Sequence, residues 1–382
     1  MIIGIDGRAL TGRFTGDRTY WLNLIRAHAG AEEPDYQYIV YTRLPMLEDP
    51  GILSPRITFR TIPATNDRIW TLATFPRALR QDGVDLAHTQ YTTPLRTPCP
   101  IITTVHDISF RLYPEWFPKR HRMLLNWSVP GAMRRAARVI TDSMSSRRDI
   151  LRIYRLSERH VTAIPLAAPP DMGPVDPNLA RRRVAESYGL DGPYIISVGV
   201  LQPRKNLPML IEAYARARHG AGLSHKLVLA GKRGWAYDEI AVQIARLRVS
   251  ADVLITDYVA DGDLPALYSA ADMMAFPSLY EGFGLPPLEA MACGAPTIVS
   301  DAPAMPEVVA DGALVLPVMD SAAWADGLSL LASSESARRD FAEAGRARAN
   351  QFSWATTARE TRRIYSEVLS GQMSRAEAVS PP

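Results

Sequence analysis

Short β-rich apolar runs alternate with longer stretches of helical period along this chain, and that alternation points to a parallel α/β architecture. Ile2 to Ile5 precedes a helical segment, Tyr20 to Ala27, and further runs follow at Tyr36 to Tyr41, Ile57 to Ile62 and Ile101 to Val105. The pattern resumes at Tyr194 to Val198, Lys226 to Ala230, Val253 to Thr256, Met273 to Phe276 and Thr297 to Val299. Strands separated by helices pair in parallel, because each crossover carries the chain back over one face of the sheet. With 382 residues, 47% of them hydrophobic, the chain exceeds what one core usually supports, so two such domains are expected.

Between the two series, residues 167–177 pack four prolines into eleven positions, which suits an extended connection rather than a helix or strand. This places an N-terminal domain at 1–172 and a C-terminal domain at 173–354. A last periodic segment, Ala355 to Leu369, predicts a C-terminal helix over 355–370. The remaining 371–382 carries too little apolar content to pack and is expected to be disordered.

Charge and composition remove several classes. Lys plus Arg number 43 against 40 Asp plus Glu, and a net charge of +3 gives no global reason to expect a nucleic-acid partner. Cys99 and Cys293 fall in different domains, so no disulfide framework is expected and a reducing cytoplasm fits. The first residues lack the basic start of a signal peptide and read as a strand, and no apolar run reaches the ~18 residues of a membrane-spanning helix. The histidines have no zinc-type spacing, and neither a G-x-S-x-G elbow nor a G-x-x-x-x-G-K-[ST] loop occurs. Asp261-Gly262-Asp263 has the spacing of a metal-holding pair. It directly precedes the periodic Leu264 to Ala270, where Asp263 suits an N-cap, and Asp261 has no neighbouring ligand set; no metal is expected.

The densest motif is Ser278-Leu-Tyr-Glu281-Gly282-Phe283-Gly284-Leu285-Pro-Pro-Leu-Glu289, which follows a strand and opens a helix. Gly282 and Gly284 let the backbone approach a ligand, and the free N–H groups of the helix start attract phosphate. Two carboxylates add little for a phosphate alone, so Glu281 and Glu289 are read as gripping hydroxyls of a sugar and a ribose. Alone, Glu289 could merely complement the helix dipole, and the glycines could form an ordinary turn. A second cradle, Gly199-Val-Leu-Gln-Pro-Arg204-Lys205-Asn206, follows the strand Tyr194 to Val198 and precedes a helix, Pro208 to Arg216. Two cations at a helix start oppose its dipole, which makes sense if a diphosphate lies between them. A solvated surface pair is the plain alternative.

With these motifs in place, nearly the whole chain resembles the retaining glycosyltransferases of family 4 (glycosyltransferase group 1). The resemblance implies a GT-B architecture, two Rossmann-like parallel-sheet domains facing a cleft. Glu281 and Glu289 match the family's E-x7-E motif, which implies contact with the donor sugar and the ribose respectively, and Arg204 and Lys205 match its diphosphate clamp. Backbone contacts to the sugar are implied for Phe283, Gly284 and Leu285, and to the base near Val259. Thr104-Val-His106-Asp107 resembles the family's His-Asp turn, which implies that His106 faces the donor sugar. A lone histidine after an apolar strand is otherwise more often structural. Gly16 is carried over from the loop that closes on the donor phosphates, although Arg18 and Thr19 depart from the usual glycine and arginine there.

The resemblance therefore implies metal-independent, retaining transfer of a hexose from a nucleotide-diphosphate sugar, with Glu281 stabilising positive charge on the donor and no cofactor. The Ser278 and His106 segments look most like mannosyltransferases using GDP-mannose in polysaccharide biosynthesis. A UDP-glucose-type donor, a nucleotide-sugar epimerase and a non-catalytic binding protein stay open. The acceptor implied is a glycan or a lipid-linked oligosaccharide. Between Arg111 and Arg155, eleven Lys or Arg stand against three acidic residues, with Trp116, Phe117, Leu124, Leu125 and Trp127 interspersed. That segment reads either as a peripheral contact with the inner face of a membrane or as solvated helix faces.

Overall fold

The computed structural model describes residues 1–12, 16–31, 36–46, 50–235 and 237–379, with side chains through Gly371. The chain divides into two compact units. The first holds residues 1–112, 119–166 and those from Ser353 onward; the second holds Tyr113–Pro118 and Ala167–Phe352.

The first unit is built on a seven-stranded sheet of order β3-β2-β1-β4-β5-β6-β7. Its strands are β1 (Ile2–Asp6), β2 (Gln37–Thr42), β3 (Ile57–Thr61), β4 (Leu86–Gln90), β5 (Ile101–Thr104), β6 (Arg138–Thr141) and β7 (Val161–Ala163). Every pairing is parallel, as in β1 on β2 with Gly4 opposite Ile39 and β1 on β4 with Gly4 opposite Ala87. The order reverses direction between β1 and β4, which makes their carboxyl ends a switch point where ligands of open α/β sheets bind. Helix Gly16–Ala29 buries Tyr20, Trp21, Leu24 and Ile25, and Phe75 and Leu79 pack with Tyr41 and Ala87 in a second cluster. Both faces of a parallel sheet must be covered in this way, which is why its strands read as continuous apolar runs.

The second unit has a six-stranded parallel sheet of order β10-β9-β8-β11-β12-β13. Its strands are β8 (Tyr194–Val198), β9 (Lys226–Ala230), β10 (Val253–Asp257), β11 (Met273–Phe276), β12 (Thr297–Ser300) and β13 (Leu314–Leu316). The switch point here lies between β8 and β11. A core of Ile195, Leu210, Tyr214, Leu227, Leu229 and Trp324 joins the sheet to helices Leu207–Gly220 and Ser321–Ser333.

Three expectations change. The connection after β7 runs without helix or strand until helix Pro177–Tyr188, capped by Asp176. Contacts divide the chain at 166/167 instead of 172/173, because Leu166 and Ala167 are already buried in packed structure. The final helix runs from Trp354 to Val379, so the backbone of most of the tail expected to be disordered is helical; residues 380–382 lie outside the described residues. Met373, Arg375, Ala376, Glu377 and Ala378 are good helix formers, and no proline intervenes before Pro381. This helix anchors in the first unit through Tyr365, whose hydroxyl meets His88 Nδ1 at 2.7 Å. Finally, Asp263 makes no side-chain cap. Its carboxylate instead takes Arg183 Nε and Tyr188 Oη, both at 2.9 Å, an ion-paired alternative to the capping bond.

Two glycines fix the path of the cradle that follows β8. Gly199 and Gly231 both have φ of +146°, and a Cβ on Gly231 would lie 2.0 Å from the Gly199 carbonyl oxygen. No rotamer relieves a clash with backbone. Gly231→Ala is expected to destabilise the protein by more than about 3 kcal/mol, read as a lower thermal midpoint or loss of folded protein.

Candidate functional site

In the second unit, the turns after β8 and β11 are tied together at the switch point. Leu279 N donates to the Arg204 carbonyl at 2.8 Å, and Arg204 Nη1 donates to the Tyr280 carbonyl at 2.8 Å. Arg204 and Lys205 lie on a 3-10 turn, Pro203–Lys205, not inside a helix; Asn206, in the left-handed region at φ 51°, then starts helix Leu207–Gly220. This corrects the helix start expected at Pro208 by one residue and leaves both cations ahead of it.

Three of the expected residues meet here. Glu281 Oε1 accepts from Lys205 Nζ at 2.7 Å and from Ser278 Oγ at 2.7 Å, while Arg204 Nη1 pairs with Glu281 Oε2. Lys205 is also held 4.3 Å above the Phe276 ring. Glu281 and Lys205 are each 7% exposed. Burial alone would raise the Glu281 pKa, but Arg204, Lys205 and the Ser278 hydroxyl outweigh it and hold the carboxyl at about 2. The result is a buried carboxylate with two cations, one positive charge in excess.

Glu289 sits differently. It lies in helix Leu285–Ala292, whose N-cap Gly284 has φ of +108°; a Cβ there would meet Met305 Cε at 2.3 Å. Its Oε2 accepts a 3.2 Å bond from the buried Tyr268 hydroxyl. Burial, with Asp261 and Asp171 nearby, pushes its pKa up to about 7 despite Tyr268. Gly282, Phe283 and Leu285 bridge the two glutamates along the chain, with Phe283 buried against Phe352. Val259 is buried just beyond β10.

His106 and Gly16 belong to the first unit. His106, just past β5, donates Nδ1–H to Asp142 Oδ2 at 2.6 Å, and its Nε2 lies 3.7 Å from Asp17 Oδ1. Burial disfavours the charged ring, but Asp142 above all, with Asp17 and Asp107, raises its pKa to about 9. Gln90 Nε2 faces His106 Nε2, and Trp21 Nε1 fixes the other end of that amide by donating to Gln90 Oε1 at 3.1 Å. The Nδ1 proton is therefore held in either state, while protonation of Nε2 requires the Gln90 amide to turn. Gly16, exposed at the first position of helix Gly16–Ala29, has open space where a Cβ would stand, and its neighbour Asp17 reaches toward His106.

Asp142, Gln90, Asp17 and Ser278 take part in these clusters without having been singled out for a role in the sequence. Asp142 follows β6, and Gln90 ends β4; both strands carry polar residues that hide the apolar pattern. Only their place at the carboxyl edge of the sheet could have marked them.

The elevated Glu289 pKa has a testable consequence. The folded state binds its proton more tightly than the unfolded chain, so this contribution to stability is present at pH 4 and is lost as pH rises through about 7. Glu289→Gln is expected to raise the thermal midpoint by several degrees at pH 8 relative to wild type, with a smaller difference at pH 5. An equal shift at both pH values would exclude this titration.

Comparison with known proteins identifies the family. Residues 181–348 match the family described as glycosyl transferases group 1, and residues 16–171 match glycosyltransferase family 4. O-antigen chain mannosyltransferase B of Escherichia coli is 34% identical over 265 residues, 69% of this chain and 69% of that protein. The serotype-specific mannosyltransferase WbdA of Escherichia coli is 30% identical over 230 residues, 59% of this chain but only 28% of that longer relative. Sucrose-phosphate synthase from Thermosynechococcus elongatus has a solved structure of the same fold, with a TM-score of 0.76 and 21% identity over 97% of this chain and 99% of that one. With two parallel sheets, two family matches and a relative that aligns over two thirds of both chains, the protein belongs to the group 1, family 4 glycosyltransferases of GT-B architecture.

Proposed function

We propose that this enzyme transfers mannose from GDP-mannose to a hydroxyl of a glycan or lipid-linked acceptor, with retention at the anomeric carbon and without a metal ion. The observation that carries this reading is the Arg204–Lys205–Glu281 cluster at the switch point of the second sheet. A diphosphate leaving group develops negative charge as the bond from the anomeric carbon to the phosphate oxygen breaks. Arg204 and Lys205 supply two fixed cations for it, pre-positioned in a buried setting where such charges count for more than in water.

Glu281 is then the group that faces the sugar. A carboxyl held at about 2 by two cations and a hydroxyl is ionised throughout the working range and weakly nucleophilic. It suits electrostatic stabilisation of the positive charge building on the sugar better than covalent attack. Glu289 is assigned to the ribose, the backbone of Gly282 to Leu285 to the sugar, Val259 to the base, and Gly16 to the donor phosphates. The first unit is assigned to the acceptor, with His106 turned toward the transferred sugar. The mannosyltransferase relatives support the choice of sugar.

The reading also includes peripheral contact with an anionic membrane. Helix Lys119–Arg135 exposes Met123, Leu124 and Trp127, at 69%, 59% and 70%, together with the exposed Lys119 and Arg120. Large apolar side chains beside cations fit the boundary between lipid headgroups and acyl chains. Among the described residues, no helix is long and apolar enough to cross a membrane.

Three experiments test these assignments. Thermal unfolding with GDP, UDP, ADP and their hexose conjugates should single out GDP and GDP-mannose, with roughly 2.7 kcal/mol of stabilisation at a hundred times the dissociation constant; a response to UDP compounds alone would replace the donor. Glu281→Gln should lower mannosyl transfer by about 10²–10³ while keeping the GDP-induced shift; unchanged turnover removes its assigned role. For the membrane contact, flotation with vesicles containing anionic phosphatidylglycerol should carry the protein upward at low salt, less so at high salt, and less still for Trp127→Ser. No flotation at low salt overturns that part.

A further inference from the structure

His106 has an assigned role, but two of the side chains that fix its ring have none. Trp21, in helix Gly16–Ala29, is fully buried, and its indole Nε1–H donates to Gln90 Oε1 at 3.1 Å. An indole nitrogen only donates, so this bond settles which end of the Gln90 amide is oxygen and turns the NH2 end toward His106 Nε2. That nitrogen must then offer its lone pair, and the ring proton stays on Nδ1, which lies 2.6 Å from Asp142 Oδ2. Indole, amide, imidazole and carboxylate thus form a one-way chain of donors. Its members come from the helix, the end of β4, the turn after β5 and the turn after β6.

The charges around the ring pull the other way. Asp142 faces Nδ1, Asp17 on the helix lies 3.7 Å from Nε2, and Asp107 follows in the same turn. Together they favour the imidazolium and raise its pKa to about 9 against the effect of burial. Tyr20 and Tyr91 stand edge-on to the ring at 4.9 and 5.7 Å, and burial keeps both hydroxyls protonated. His88, on β4 two residues before Gln90, is kept neutral by burial and by the nearby His106. An imidazolium at His106 needs an acceptor for its Nε2 proton, where the Gln90 amide now presents a donor. Turning that amide by half a rotation brings Oε1 to His106 but sets the NH2 group against the Trp21 N–H, which leaves a buried donor without its partner. Trp21 therefore opposes protonation of a ring that it does not bond.

We propose that Gln90 and Trp21 are positioning residues for His106: they hold its ring as the neutral Nδ1–H tautomer against the surrounding carboxylates, and Trp21 acts through the Gln90 amide. In transfer the consequence is electrostatic. Positive charge builds on the sugar as the leaving group departs, and an uncharged ring places no second cation beside it. That consequence rests on the assignment of His106 to the sugar, whereas the state of the ring is read without donor.

The test uses the full chain labelled with ¹⁵N in its seven histidines, His106 being identified by the signal lost in His106→Asn. Long-range ¹H–¹⁵N NMR should show the Nδ1–H tautomer above the titration midpoint of His106, and that midpoint should lie below the value of about 9 that the carboxylates favour. Gln90→Met, similar in length but without the amide, should raise the midpoint by about one pH unit, an increase of about tenfold in proton affinity. Trp21→Phe should also raise it, and should add nothing in the Gln90→Met background. Thermal unfolding shows which variants are folded; a loss of packing alone lowers thermal stability and leaves the ring titration in place. The pH profile of kcat for mannosyl transfer should rise through the His106 midpoint and move with it in Gln90→Met. A neutral ring protonated on Nε2, a midpoint unmoved or lowered in Gln90→Met, or a further rise on adding Trp21→Phe to Gln90→Met overturns the proposal. A midpoint that moves while the pH profile of transfer stays in place overturns the positioning role and locates the fault in the assignment of His106 to the sugar.

Discussion

A parallel sheet buries its two faces under helices, but the carboxyl ends of its strands must open into loops, and every polar function in this chain is placed by that constraint. In each unit the strand order reverses once, between β1 and β4 and between β8 and β11. Connecting chains leave in opposite directions at these points, so a crevice forms where side chains from non-neighbouring segments converge. Arg204, Lys205 and Glu281 occupy one such crevice, and Asp6, Arg8 and Gln90 the other. Gly199 and Gly231 belong to the same constraint, because the loops can cross at the sheet edge only where neither residue carries a Cβ.

The two crevices hold their charged groups in different pairings. In the second unit, one carboxylate, Glu281, is held between two cations, Arg204 and Lys205. In the first, Arg8 pairs with Asp6, Arg43 with Asp67, and Asp17 lies beside the His106 imidazole. Breaking one member of a buried pair leaves the other uncompensated, so these balances are also structural. The contrast between Glu281, held at about 2, and Glu289, pushed up to about 7, shows how far neighbours decide the behaviour of one residue type.

Much of the fold was legible because apolar runs such as Tyr194–Val198 and Met273–Phe276 are strands with both faces buried. β4 was not, since its residues Leu86-Ala-His-Thr-Gln90 run from two apolar into three polar groups that are all buried or nearly so, with His88 satisfied by Tyr365 and Thr104. β7 and β13 are three residues each, too short to show a period. The Asp263 cap failed for a related reason: Arg183 and Tyr188, about eighty residues earlier, compete for the same carboxylate and are invisible to a local reading.

The sequence by itself determined the α/β alternation, the two-unit division and the glycine-bounded motifs around Arg204 and Glu281, because each follows from local periodicity or from residue types with few allowed conformations. Only the tertiary structure decided that Glu281 closes on Arg204 and Lys205, that His106 leans on Asp142, and that Trp21 orients the Gln90 amide. These are contacts between strand ends far apart in the chain, and their geometry is set by sheet order, which no local pattern encodes.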